Sequence, residues 1–177
     1  MIVPGAVKSA LADVLQPDEK VIWAGRPDPM ATLRTQLFWW WLGIPVLVIA
    51  LYLHFGDVMS RDWSAAPVGI ALALLAAPAL MVAQAYGTIY AITDRRVIIR
   101  HDALGKRQVV DYTFGELDEA LEILESGPEI GHLYFASGAR SKVAYADYTG
   151  KVAFRELRKP EQVKALLEKV RKEAREK

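Results

Sequence analysis

The residues best suited to acid–base or metal chemistry are three histidines, His54, His101 and His132. They lie far apart, with no His-x-x-x-His pair and no carboxylate at metal-ligand spacing, so no metal centre is expected. The chain has no cysteine, which excludes thiolate chemistry and disulfides. Ser137-Gly138 lacks the pattern of a nucleophile elbow, and no Gly-rich loop with a following Lys and Ser or Thr is present to hold phosphate. Glu116, Asp118, Glu119, Glu122 and Glu125 form an acidic run ahead of Gly127-Pro128. Carboxylates can move protons, but consecutive acids along a loop and strand read as a solvated edge that guards a strand or meets a basic partner. No catalytic residue, cofactor or small-molecule substrate is expected, and the chain reads as a non-enzyme.

Charge offers the remaining chemistry. The chain carries a net charge of +1, and residues 87–177 hold 17 Lys and Arg against 15 Asp and Glu. No overall field recruits nucleic acid. A local basic group is present in Arg95, Arg96, Arg100, Lys106 and Arg107. Lys106, Arg107 and Arg100 are the candidate contacts for anionic lipid. Arg95 and Arg96 are the candidate surface for a protein partner, or simply keep a turn soluble.

The elements that position these groups begin with two uncharged apolar stretches, Leu37–Phe55 and Ala65–Tyr86. A spanning helix needs roughly 20 apolar residues, so the pair is expected to form a transmembrane hairpin. The first stretch starts too late for a secretory signal and is expected to stay as an anchor. Lys20, Arg26 and Arg34 precede it and Arg95, Arg96, Arg100, Lys106 and Arg107 follow the second, whereas the connection holds only Arg61. Both termini are therefore expected in the cytoplasm. Trp39, Trp40, Trp41 and Trp63 are the expected interface anchors, with Tyr86 and Tyr90 at the exit. Gly69, Ala73 and Ala77 repeat at every fourth position and are expected to pack a helix, preferentially the first of the pair, with a homodimer seam as the alternative. Pro45, Pro67 and Pro78 are candidate kinks.

After Tyr86 short apolar runs alternate with turn residues. Strands are expected at residues 88–93, 96–101, 108–113, 119–124, 132–136, 142–146 and 152–157, an antiparallel barrel or sandwich. Pro160 then opens a helix with Val163, Leu166, Leu167 and Val170 on one face and charges on the other. Thr93 and Asp94 are expected to set a turn through side-chain bonds. Tyr90, Ile92, Val97 and Ile99 are expected on a buried face, and Trp23 as an apolar peg.

Several of these segments resemble one family. Residues 15–19 (Leu-Gln-Pro-Asp-Glu) with Val21–Pro27 resemble its L-x-x-x-E…W-x-G-x-P opening. Tyr90–Ile98 is similar to its Y-x-[IL]-T-[DN]-x-R-[VI] hairpin, Ile130–Phe135 to its G-x-[IL]-x-F strand, and Phe154–Leu157 with Pro160–Val163 to its last strand and helix. The family is the bacterial PH-domain (pleckstrin-homology-like) membrane proteins with two transmembrane helices. The resemblance implies an α+β membrane protein: a cytoplasmic segment (1–36), a transmembrane hairpin (37–86) and a cytoplasmic PH-like seven-stranded antiparallel barrel capped by a C-terminal helix (87–177). It implies a binding or scaffolding module at the inner face of the bacterial cytoplasmic membrane, whose partners are the lipid bilayer and a protein or a second copy. The alternative is an accessory subunit of a membrane transport or enzyme complex that acts through its hairpin.

Overall fold

β-Branched and aromatic residues crowd the chain after Gly87, and there they form strands. β2 (Thr88–Thr93), β3 (Arg96–Ala103) and β4 (Lys106–Thr113) are successive antiparallel partners. A strand from far upstream, β1 (Val21–Gly25), adds antiparallel to β2 and completes a sheet of order β1-β2-β3-β4. β5 (Glu122–Gly127), β6 (Ile130–Ser137) and β7 (Lys151–Arg158) make a second antiparallel sheet, and α5 (Pro160–Arg175) follows. This computed structural model describes residues 5–56, 61–103, 105–137 and 149–176 of the chain. It divides into two compact units, residues 1–28 with 85–177, and residues 29–84.

In the β unit one core lies among Trp23, Tyr90, Ile92, Val97, Ile99, Phe135 and Phe154, together with Val163, Leu167 and Val170 of α5. The expected buried face of Tyr90, Ile92, Val97 and Ile99 is thus present, and the apolar face of α5 packs into the same core. Trp23 packs its ring 5.8 Å from Phe154, and Tyr90 stacks on Phe154 at 4.6 Å. A second apolar cluster occupies the other face of the four-stranded sheet. There α1 (Gly5–Leu11) sets Val7 and Leu11 on Ile89, Ala91 and Ile98. Covered on both faces, β2 is buried along its whole length.

The chain is α+β, but among the described residues the strands do not close into the expected seven-stranded barrel. Those described form separate sheets of four and three strands, with residues 114–121 passing between β4 and β5. The first 28 residues, expected as a separate segment, supply β1 and α1 to the β unit. The strand expected at 119–124 runs instead at 122–127, because Leu117 and Leu121 anchor the preceding turn in the core. Pro128 and Glu129 then make the hairpin turn, with Glu129 at φ 58. The strand expected at 142–146 lies outside the described residues.

The second unit contains α2 (Pro29–Gln36), α3 (Phe38–Phe55) and most of α4 (Arg61–Gly87). α3 and α4 are long and apolar enough to cross a membrane. Gly43 marks their close approach: a Cβ there would lie 3.0 Å from Leu75 Cδ2 and 3.2 Å from Leu74 Cβ. Trp40 Nε1 donates to the Leu75 carbonyl at 3.0 Å. Pro78 has no N–H for the Leu74 carbonyl one turn earlier, which loosens the backbone at this point.

Candidate functional site

Charged side chains gather on the α1-covered face of the four-stranded sheet. Alternation along β3 puts Arg96, Ile98, Arg100 and Asp102 on that face, and β4 adds Arg107 and Asp111. The N-terminal segment answers with Asp13 and Glu19. Arg96 Nε donates to Glu19 Oε1 and Nη2 to Glu19 Oε2, both at 2.9 Å, while Nη1 donates to Asp111 at 2.8 Å. Its Nη2 also donates to the Val14 carbonyl at 3.0 Å. Glu19 accepts further from the Gln16 N–H and the Thr93 hydroxyl, each at 2.8 Å. The Glu19 side chain is 0% exposed. Burial by itself pushes its carboxyl up, but the Arg96 guanidinium and the other donors outweigh that and bring it to about 2.

A second clamp sits toward the β3–β4 turn. Arg100 donates to Asp13 at 2.9 Å and to Asp102 at 2.7 Å. Arg107 reaches the same two carboxylates. The guanidinium of Arg100 draws the Asp102 carboxyl below the usual range, and Arg107 adds to it. Together the clamps tie residues 13–19 across β3 and β4. The Thr93 hydroxyl accepts from the Arg95 and Arg96 amides and sets the β2–β3 turn, whereas Asp94 accepts from the Lys20 N–H.

This geometry corrects two expectations. Arg100, a candidate lipid contact, has a side chain only 6% exposed and fixed by two carboxylates. Arg96, a candidate partner surface, is 12% exposed and bidentate on Glu19. Both are internal clamps. Lys106, Arg107 and Arg95 are exposed; among the described residues no partner holds the side chain of Lys106 or Arg95. Arg107 is partly committed to Asp13 and Asp102.

The helix-packing residues are also redistributed. Gly69 and Ala73 are exposed and Ala77 half-buried, and a Cβ on Gly69 would meet nothing within 4 Å. The expected packing of Gly69, Ala73 and Ala77 against the first helix is replaced by a seam at Gly43, Leu74 and Leu75, where Trp40 donates to the Leu75 carbonyl. Of the expected anchors, Trp41 is 80% exposed, Trp39 donates to Gln36, Trp40 joins the seam and Trp63 lies in the first turn of α4.

One polar pairing, that of His132 with Glu156, was not expected from sequence. His132 Nδ1 accepts the Glu156 N–H at 3.2 Å, and the Asp28 N–H donates to the Glu156 carbonyl at 2.8 Å. Burial holds the His132 imidazole below its ordinary value, with Arg155 acting the same way and Glu156 opposing. Among the described residues no cluster of His, Asp or Glu is arranged to hold a metal ion. No family model, no curated protein and no solved structure matches the chain.

Proposed function

We propose that this chain is a membrane-anchored, PH-like binding or scaffolding module, with α3 and α4 crossing a bacterial inner membrane and both termini in the cytoplasm. The observation that carries the reading is the mismatch between composition and burial in the hairpin. Only 11% of each apolar window is buried. A helix apolar all round is normally buried in a core or in lipid, and such a surface left in water drives association. Hydrocarbon solvates it.

Aromatic placement supports this. Phe38, Trp39 and Trp41 stand exposed at one end of α3 and Tyr52 and Phe55 at the other. From residue 38 to 55 the helix rises about 26 Å, close to the roughly 30 Å of a hydrocarbon core. The four-plus-three sheets, the C-terminal helix and the family resemblance support the PH-like part. In this reading the hairpin is an insertion between neighbouring strands, β1 and β2.

The β unit is then a contact surface for protein or anionic lipid. Thr88 pairs with His101 and Ala103 with Lys106, so the β3–β4 turn shares the sheet end at which α4 leads into β2. Lys106 lies at that end, and among the described residues no partner holds its side chain. A lysine beside an anionic surface contributes about 1 kcal/mol, so the contact is weak and salt-sensitive. A polarity-sensitive dye on Gln108→Cys, in nanodiscs with and without phosphatidylglycerol, tests it. Anionic lipid shifts the emission to the blue, and Lys106→Glu removes the shift while Arg95→Glu does not. Equal loss from both variants overturns the lipid contact. The alternative, an accessory subunit acting through its hairpin, is favoured by the uncovered Gly69 and Ala73. Replacing α3 and α4 by an unrelated hairpin spares partner capture in the first reading and abolishes it in the second.

A further inference from the structure

Strand β7 is interrupted at Arg155-Glu156. Leu133 pairs with Phe154 and Gly131 with Leu157, so His132 alone stands opposite two residues, the count of a β-bulge. Glu156 takes φ 48 there with a side chain only 10% exposed. A left-handed conformation costs a non-glycine residue of this kind and persists only where its surroundings impose it. The Glu156 N–H donates to His132 Nδ1 at 3.2 Å, and its carboxylate accepts from Ser126 Oγ at 3.3 Å. Its carbonyl takes the Asp28 N–H at 2.8 Å, and the buried Asp28 carboxylate pairs with Arg158. Asp28 is the last residue of the β unit before Pro29 opens α2. The bulge therefore fastens the point at which the chain leaves the β unit.

We propose that His132 is a pH-operated latch: neutral, its Nδ1 lone pair holds the Glu156 bulge and through it the Asp28 anchor, and protonated, it releases both. A neutral imidazole has one donor and one acceptor nitrogen. With Nδ1 accepting, the proton sits on Nε2, which faces Glu156 Oε1 at 3.9 Å. In the imidazolium both nitrogens donate, so Nδ1–H opposes the Glu156 N–H and leaves a strained residue without its amide acceptor.

The surrounding charges set the direction. Burial disfavours the imidazolium most, Arg155 of β7 adds to that, and the Glu156 carboxylate favours it. On β5, Ser126 bonds Glu156 and its neighbour Glu125 is exposed; at the β1 exit Asp28 is already paired with Arg158. The folded-state value lies below the ordinary 6.5. The latch is thus fully closed above 6.5 and lost as pH falls through the folded value. Acidification opens it; alkali does not. The latch lies within the β unit and operates whether or not the hairpin lies in a bilayer.

Amide hydrogen exchange on the full chain in detergent micelles tests it, at pH 7.5 and pH 5, with rates corrected for intrinsic exchange. The amides of Asp28 and Glu156 lose protection at least about tenfold in acid, while Ile89–Ile92 stay protected. His132→Gln, whose amide oxygen accepts without titrating, shows no such loss. Equal protection of wild type at both pH values overturns the latch, as does an equal acid response in His132→Gln or opening of Ile89–Ile92 in parallel. Should that variant not fold, the imidazole nitrogen shifts of wild-type His132 decide. An unprotonated Nδ1 at neutral pH, titrating together with the loss of Asp28 protection, supports the latch; a protonated Nδ1 contradicts it.

Discussion

Glu19→Gln removes one charge from the bidentate pair that ties the N-terminal segment to β3. Glu19 is held at about 2 instead of 4.5. At about 1.4 kcal/mol per pH unit, that preference for the ionised form corresponds to about 3 kcal/mol. A glutamine oxygen still accepts from one donor, so the expected loss of stability is about 2–3 kcal/mol. Arg96→Met leaves Glu19 buried at 0% exposure without its main partner, and breaking a buried pair from one side costs about 3–5 kcal/mol. The double variant restores charge balance, so the two losses overlap by about 1–3 kcal/mol. Urea unfolding of the full chain in micelles, followed by pulse proteolysis, reads these differences. A linked acid test uses the sign of the shift. A carboxyl lowered on folding stabilises fully above 4.5, and the contribution disappears as pH falls toward 2. The wild type therefore loses stability across that window, and Glu19→Gln is flatter there. Strictly additive losses, or an unchanged acid profile in Glu19→Gln, refute the clamp.

Gly87 stands at the junction of α4 and β2, where a Cβ would lie 2.1 Å from the Asp102 carbonyl oxygen. Gly87→Ala is expected to cost about 1–3 kcal/mol through forced backbone movement, visible in the same unfolding assay. In the hairpin, Gly43→Leu is expected to lower the thermal midpoint in micelles by several degrees, since Leu74 and Leu75 already fill the space. Gly69→Leu is expected to leave it unchanged, because nothing lies within 4 Å. The reverse order would place the helix seam on the wrong face of α4.

Local signals carried the elements that local physics decides. Thr93 and Asp94 announce the β2–β3 turn, and the turn forms around the Thr93 hydroxyl. The spacing of Val163, Leu167 and Val170 announces the buried face of α5, which those residues line. Partnerships across long separations were not legible. Glu19 and Arg96 both fall in segments of the family resemblance, yet nothing in either segment says that they bind each other across 77 positions. The same blindness hid β1, a five-residue strand whose partner follows a long helical insertion. It also turned Arg96 and Arg100 into surface candidates, since a sequence shows a charge but not the carboxylate that takes it inside. Small residues at every fourth position mark a face open to close approach and not which helix uses it. The seam forms instead where Gly43 admits Leu74 and Leu75 and Trp40 bonds the Leu75 carbonyl. His132 looked isolated because its partner depends on a bulge, and a bulge shifts register without leaving a residue-type signature.

In the proposed reading α3 and α4 reside in lipid with the β unit on the cytoplasmic side. The native chain has no cysteine, so single cysteines report directly in intact bacterial cells treated with a membrane-impermeant maleimide. Ser60→Cys, in the connection between the helices, is predicted to label from outside, whereas Lys172→Cys on α5 labels only after lysis and pellets with membranes through an alkaline wash. Labelling of Lys172→Cys from outside, or recovery of the chain in the supernatant without detergent, would contradict the account.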